Sequence, residues 1–174
     1  MRVVDLFSGC GGISKGFFDT AKVELVGAID NDSGACDTYK RNFPKANVIC
    51  GDINNISVES TGFKDIDIIV GGPPCQGFSR LNYWDKDRDN DPRNELFFQY
   101  LRFVDELKPK AILIENVKQI LTAKNGYVPM HITNFLEERG YSVSYSILCA
   151  ADYGVPQMRY RAFFVALKEK YGKF

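Results

Sequence analysis

The strongest constraint on this chain is a rhythm. Short apolar runs alternate with stretches of helical spacing almost from the first residue. Residues 3–7, 24–30, 47–50, 66–70 and 111–115 read as strands. Between them, helical periodicity begins at Ile13, occupies 33–42 up to Phe43-Pro44, and is clearest over 94–107. There Leu96, Phe97, Tyr100, Val104 and Leu107 mark one face, and Pro109 follows the end. Such alternation predicts an α/β fold, a doubly wound and mostly parallel sheet joined by right-handed crossovers. A helix is expected over 131–139, closed by Gly140. Residues 143–148 and 162–167 read as two further strands with no helix between them, hence an antiparallel hairpin at one edge of a seven-stranded sheet.

At 174 residues the chain suits one domain over 1–174 with a substantial core. Lys and Arg number 22, as do Asp and Glu, so the overall charge advertises no partner, although a basic face can hide in the average. The five cysteines, Cys10, Cys36, Cys50, Cys75 and Cys149, are scattered without a CxxC pair. That spacing predicts neither a metal site nor a disulfide framework and suits a reducing compartment. The amino terminus runs straight into a strand, with no leader peptide and no membrane-spanning run, so a cytoplasmic protein is expected.

One segment stands apart: Gly71-Gly72-Pro73-Pro74-Cys75-Gln76-Gly77-Phe78-Ser79. Two glycines and two prolines stop the fourth strand abruptly. Proline fixes its own φ and restricts the residue before it, which leaves Cys75 in an extended, exposed turn. The carboxyl end of a parallel strand is where open α/β sheets place their chemistry. A free cysteine often serves as a small buried hydrophobe. Here the rigid frame favours a reactive thiol.

A ligand site is expected at the same sheet edge. Ser8-Gly9-Cys10-Gly11-Gly12 is a glycine-rich turn between the first strand and first helix, suited to close backbone approach. Its spacing does not fit G-x-G-x-x-G, which argues against a dinucleotide and a hydride-transfer enzyme. Asp30 and Asp52 end the second and third strands. Taken singly, each is a common turn former. In this order they suit a ribose and an exocyclic adenine amine, a nucleoside ligand without a pyrophosphate. S-adenosylmethionine fits, its carboxylate resting on the helix start beyond Gly12.

With those residues in view, the chain resembles the cytosine-5 DNA methyltransferases, the bacterial modification enzymes of restriction systems and their relatives. The resemblance rests on Asp5-Leu6-Phe7-Ser8-Gly9-Cys10-Gly11-Gly12, Gly51-Asp52-Ile53, Pro73-Pro74-Cys75-Gln76-Gly77-Phe78-Ser79, Glu115-Asn116-Val117 and Gln157-Met158-Arg159-Tyr160-Arg161, in the family's order. It implies a Rossmann-like, S-adenosylmethionine-dependent methyltransferase fold. It also implies Cys75 as the nucleophile on carbon 6 of a cytosine flipped out of duplex DNA. Glu115 would hold ring nitrogen 3, Arg161 the carbonyl oxygen, and Arg159 the base or Cys75. Phe7, Ser8, Gly9, Cys10, Gly11, Gly12, Asp30, Asn31, Asp52, Ile53 and Leu96 would form the cofactor pocket, which releases S-adenosylhomocysteine. Asn31 departs from the bulky apolar residue usual at that position. Pro74, Gln76, Ser79, Asn116 and Gln157 would meet the substrate.

On the residues alone, Glu115 ends an apolar strand, where a charge is costly unless used or paired. Arg159 and Arg161 fall on one face of a strand and, taken alone, would more often be edge residues in salt bridges. Residues 80–91, with Trp84, are too long for a simple connector; the family closes this region over DNA. The resemblance further implies that a target-recognition region and closing segments lie outside this chain, supplied by a second subunit or lost. The sheet near Phe7 and Ile13 would then expose apolar surface, suited to a partner or a homodimer. Two alternatives remain: a tRNA cytosine-5 methyltransferase, and a non-catalytic module that binds S-adenosylmethionine or a partner.

Overall fold

The computed structural model describes residues 1–74 and 92–172, with the side chains of 92–95 and 124 excepted. Seven strands form one sheet in the order β3-β2-β1-β4-β5-β7-β6. They are β1 (Arg2–Leu6), β2 (Glu24–Asp30), β3 (Asn47–Cys50), β4 (Ile68–Gly71), β5 (Ala111–Val117), β6 (Tyr141–Cys149) and β7 (Tyr160–Lys168). The helices are α1 (Gly12–Phe18), α2 (Ser33–Asn42), α3 (Val58–Thr61), α4 (Pro92–Leu107) and α5 (Tyr127–Glu137). β1 to β5 pair in parallel, as the alternation predicts. β7 runs antiparallel between β5 and β6, so the last two strands form the expected edge hairpin. Among the described residues no helix is long and apolar enough to cross a membrane.

β1 lies near the middle of the sheet, and Val3, Val4 and Leu6 are sealed from solvent, as a strand covered on both faces must be. On one face Ile69, Ile112, Ile114, Phe164 and Ala166 pack under α4 and α5, with Phe97, Phe103, Ile132 and Leu136 filling the space. Tyr100 reaches from α4 to the sheet, where its hydroxyl donates to the carbonyls of Ile69 and Leu113 at 3.3 and 3.2 Å. On the other face α1 and α2 cover Val3, Ala28, Ile68 and Val70 through Ile13, Phe17, Tyr39 and Phe43. β5 and β7 extend beyond that cover. Their residues alternate strictly between buried (Ile112, Ile114; Ala162, Phe164, Ala166) and half-buried (Leu113; Phe163, Val165, Leu167).

One polar group is built into this core. Asp5 on β1 is 1% exposed, and its Oδ2 accepts from Ser14 Oγ at 2.6 Å. Ser14 Oγ in turn lies 2.7 Å from the Tyr39 hydroxyl, which links β1, α1 and α2 in one chain of hydrogen bonds. Burial pushes the Asp5 carboxyl up to about 7, against the opposing pull of the Ser14 bond. Its Oδ1 is buried without a hydrogen-bond partner among the described residues.

Candidate active site

β1, β2 and β3 are laid down in one direction and β4 on the opposite side of β1. The crevice of a doubly wound sheet opens where the order reverses, between the carboxyl ends of β1 and β4. Two unusual backbones meet there. The turn after β1 carries positive φ at Phe7 (59°), Gly9 (53°) and Gly11 (91°). A non-glycine residue in that region is uncommon, and Phe7 is held by Ser8 N–H donating to Ile29 O at 3.2 Å. A side chain at Gly11 would strike the rings of Phe43 and Tyr39, whereas the space beside Gly9 and Gly12 is open. The turn is packed from below and bare above.

β4 ends at Gly71, and the chain passes on through Gly72, Pro73 and Pro74. Gly71 lies so close to the Leu6 carbonyl and the Tyr100 ring that no side chain fits. At Gly72 a Cβ would come 3.1 Å from Glu115 Oε2, so a bare backbone lets that carboxylate approach. Asn116, expected to meet the substrate, instead lies inward and buried. Its Nδ2 donates to Pro73 O at 2.8 Å and its Oδ1 accepts from Val117 N–H at 2.9 Å. A buried amide needs such partners, and this one fixes the strand exit. Cys75, Gln76 and Ser79 lie outside the described residues, as does 80–91.

Glu115 stands at the carboxyl end of β5, and its Oε1 is 2.9 Å from Arg161 Nε. The two side chains are each about a quarter exposed (23% and 25%), enough shielding to give the pair weight yet open to a ligand. Both readings of Arg161 therefore meet in one place, since it is salt-bridged and faces the groove.

That groove, about 770 Å³, brings together Phe7, Gly12, Gly72, Glu115, Arg159 and Arg161. Its remaining wall is mostly apolar and includes Ile13, Phe17, Leu113, Tyr153, Val155 and Phe163. The period-two pattern of β5 and β7 could have flagged Leu113 and Phe163; Tyr153 and Val155 follow no periodicity that could. Gln157 is exposed in the loop before β7.

The other expected cofactor residues stand outside this lining. Asp30 ends β2 and uses Oδ2 to accept from Gly9 N–H at 2.7 Å and Oδ1 to accept from Asp32 N–H at 3.0 Å. Asp52 caps the short turn Ile53–Asn55, accepting from Asn54 N–H at 3.0 Å. Both are turn formers and both retain lone pairs. Asn31 and Cys10 are exposed, Gly11 and Ser8 are buried, and Leu96 is half-buried against the core. The Ser8 hydroxyl has no hydrogen-bond partner among the described residues. Ile53, expected to line the pocket, is 3% exposed and packs into the main core, so contact through its side chain is closed off. A bare glycine turn, the Phe7 ring beside it and two strand-end carboxylates are nevertheless a donor and acceptor set that fits an adenosyl group.

These features define a doubly wound α/β protein with a crevice at its switch point and an acid–arginine pair at the rim. Over residues 1–174 the sequence matches the family of C-5 cytosine-specific DNA methylases. It is 43% identical over 173 residues to the type II methyltransferase M.DdeI of Desulfomicrobium norvegicum, covering 97% of this chain and 41% of that protein. It is 38% identical over 173 residues to the type II methyltransferase M1.HphI of Haemophilus parahaemolyticus, covering 97% and 46%. The solved structure of S. pombe Dnmt2 methyltransferase superposes with a TM-score of 0.79 at 26% identity, covering 100% of this chain and 53% of that one. The chain belongs to the C-5 cytosine-specific DNA methylase family, and it spans about half the length of these relatives.

Proposed function

We propose that this chain carries the catalytic centre of a DNA (cytosine-5-)-methyltransferase of a restriction-modification system, working on DNA in the bacterial cytoplasm. The observation that carries the reading is the Glu115–Arg161 pair, placed beside bare Gly72 at the mouth of an apolar groove and next in space to the strand end that leads to Cys75. A carboxylate and a guanidinium side by side match the N3–C4 amidine and O2 edge of cytosine, one group for nitrogen 3 and one for the carbonyl oxygen.

In this reading the Cys75 thiolate adds to carbon 6 of an extruded cytosine, forming an S–C bond. Glu115 holds a proton at nitrogen 3 as electron density moves into the ring, and Arg161 steadies the carbonyl oxygen. Carbon 5 becomes nucleophilic. S-adenosylmethionine supplies the electrophilic methyl group. Loss of the carbon 5 proton then expels the Cys75 thiolate and restores the aromatic ring. Arg159 orients the base, while Asp30, Asp52, Phe7 and the Gly9–Gly12 turn would hold the adenosine portion. Asn116 positions the Pro73 backbone.

The half-buried stripe of Leu113, Phe163, Val165 and Leu167 supports a protein partner on that half of the sheet. We read that partner as a second subunit with the target-recognition region, in preference to a second copy of this chain. The names of the type II relatives favour DNA over tRNA as substrate.

The test is trapping on duplex DNA that contains 5-fluorocytosine, whose fluorine blocks the final elimination. A covalent adduct that needs S-adenosylmethionine and is absent in Cys75→Ser is expected. No adduct, even with a complementing subunit present, overturns the proposal.

A further inference from the structure

Beside the apolar groove lies a second cavity of different character, about 400 Å³, lined by Lys118, Gln119, Gln157, Arg159, Tyr160 and Arg161 together with Met158. Its position follows from the sheet. Val117 of β5 pairs with Arg161 of β7, so the next residue on one side is Lys118 and the preceding one on the other is Tyr160. The two meet at the end of the ladder, with Lys118 Nζ 5.3 Å from the centre of the Tyr160 ring. A ring beneath an ammonium holds it in place without cancelling its charge.

The charges here do not balance. The chain as a whole carries 22 cationic and 22 anionic side chains, yet no carboxylate contributes to this lining. Glu115, which borders the neighbouring groove, is engaged by Arg161. Among the described residues, no carboxylate forms a salt bridge with Lys118 or Arg159. Their neighbours Gln119 and Gln157 add amide donors, while Tyr160, whose hydroxyl meets the Cys149 thiol, contributes the ring under Lys118. A lining so rich in donors, whose positive charge no carboxylate among the described residues compensates, suits a small oxyanion.

The two cavities share Arg159 and Arg161. One is apolar and takes a flat ring; the other is polar and cationic, one side chain away. A nucleotide rotated out of a duplex has the same two parts, a base and a phosphodiester about one sugar apart.

We propose that Lys118 and Tyr160, with Gln119 and Gln157, form a seat for the phosphodiester that adjoins the extruded nucleotide. This rests on the reading of DNA as substrate and extends it to residues outside the acid–arginine pair. A phosphate seat carries no base information. It therefore contributes equally on every DNA sequence and is weakened by salt.

The experiment is fluorescence anisotropy of the full chain, unaltered and as Lys118→Ala, Lys118→Arg and Lys118→Glu, with a labelled duplex over a salt titration. Lys118→Ala is expected to weaken binding about 3- to 10-fold at low salt and to reduce the slope of log affinity against log salt by about one. Lys118→Arg restores most of the affinity and Lys118→Glu loses more. Binding of S-adenosylmethionine, measured by calorimetry, stays unchanged in all three. If the unaltered chain binds the duplex and Lys118→Ala binds equally well with the same slope, the phosphate seat is overturned and the DNA reading stands. If the unaltered chain binds no duplex at low salt, alone or with a complementing subunit, both fall.

Discussion

Glu115 and Arg161 lie diagonally across the antiparallel β5–β7 ladder. Glu115 is opposite Phe163, Arg161 is opposite Val117, and the two charged side chains close to 2.9 Å on one face. Diagonal neighbours on a sheet are within reach of long side chains, so the pair is fixed by strand register rather than by loop conformation. A one-residue slip of β7 would send Arg161 to the face opposite Glu115 and break the pair. The sheet thus presets a carboxylate and a guanidinium side by side at the rim of the groove.

Replacing the carboxylate isolates its chemical part. Glu115→Gln keeps the size and an acceptor but cannot hold the nitrogen 3 proton in the same way. Methyl transfer is expected to fall at least about 100-fold, within the range for a positioned acid or base. Calorimetric binding of S-adenosylmethionine should be unaltered. A variant with near-parental turnover would remove Glu115 from the mechanism.

Asp5 gives a prediction about stability and pH. Its carboxyl is raised to about 7 in the fold from an ordinary value of 3.8, so the folded state keeps a proton that the unfolded chain releases. Its contribution is therefore largest at low pH and declines as pH rises from about 4 to about 7, levelling off above. The shift corresponds to a few kcal/mol, on the order of 1.4 per unit. Urea unfolding at pH 5 and pH 8 should show this decline in the parent and a flatter response in Asp5→Asn. Equal slopes in the two proteins would refute it.

Two glycines predict opposite outcomes for one substitution. At Gly71 a methyl group is driven into the Leu6 carbonyl and the Tyr100 ring, so Gly71→Ala should lose about 3 kcal/mol, the upper part of the usual range for overpacking. Gly16 lies inside α1 with open space around it, and Gly16→Ala should gain up to about 1 kcal/mol from helix propensity. Denaturant midpoints read both directly.

Asp30 supports the glycine turn through Gly9 N–H and, in our reading, a ribose hydroxyl. Asp30→Asn retains an acceptor for the turn but loses the charge that strengthens a hydroxyl's bond. S-adenosylmethionine affinity should drop about 10-fold, the size of one charge-assisted hydrogen bond. An unchanged dissociation constant would leave Asp30 with the turn alone.

Association follows from the half-covered sheet. A charge introduced as Phe163→Lys should weaken self-association or subunit binding measured by light scattering, while far-ultraviolet dichroism stays the same. A parent chain that remains strictly monomeric at high concentration, with or without the candidate subunit, counts against a docking role for this face.

Much of the architecture was legible because each strand carries its own signal. β1 to β5 are apolar runs, three of the four gaps between them carrying helical periodicity, and the lack of a helix before β7 predicts the hairpin. The exceptions have local causes. α5 begins at Tyr127 instead of 131 because Pro129 falls in the first turn, where its missing N–H has no helical partner to lose. β5 runs to Val117, two residues past its expected end at 115, because β7 supplies partners for the extra rungs. α3 is a single turn with no periodicity to detect. At the site, the sequence pointed to Glu115 and Arg161 as types, but their contact depends on register between distant segments. The inward Asn116 and the Asp5–Ser14–Tyr39 chain are likewise long-range facts, invisible to local pattern.

The reversed direction of β7 has a consequence for how this centre is encoded. A parallel strand would deliver its last residues to the working edge of the sheet, and everything before them would be hidden at the far side. Running the other way, β7 brings its first residues there, so the arginines come before the buried run they are mounted on. The groove is thus assembled from the trailing ends of some strands and the leading end of another. Substitutions that reshape it will therefore be scattered along the gene, although the atoms they alter are immediate neighbours.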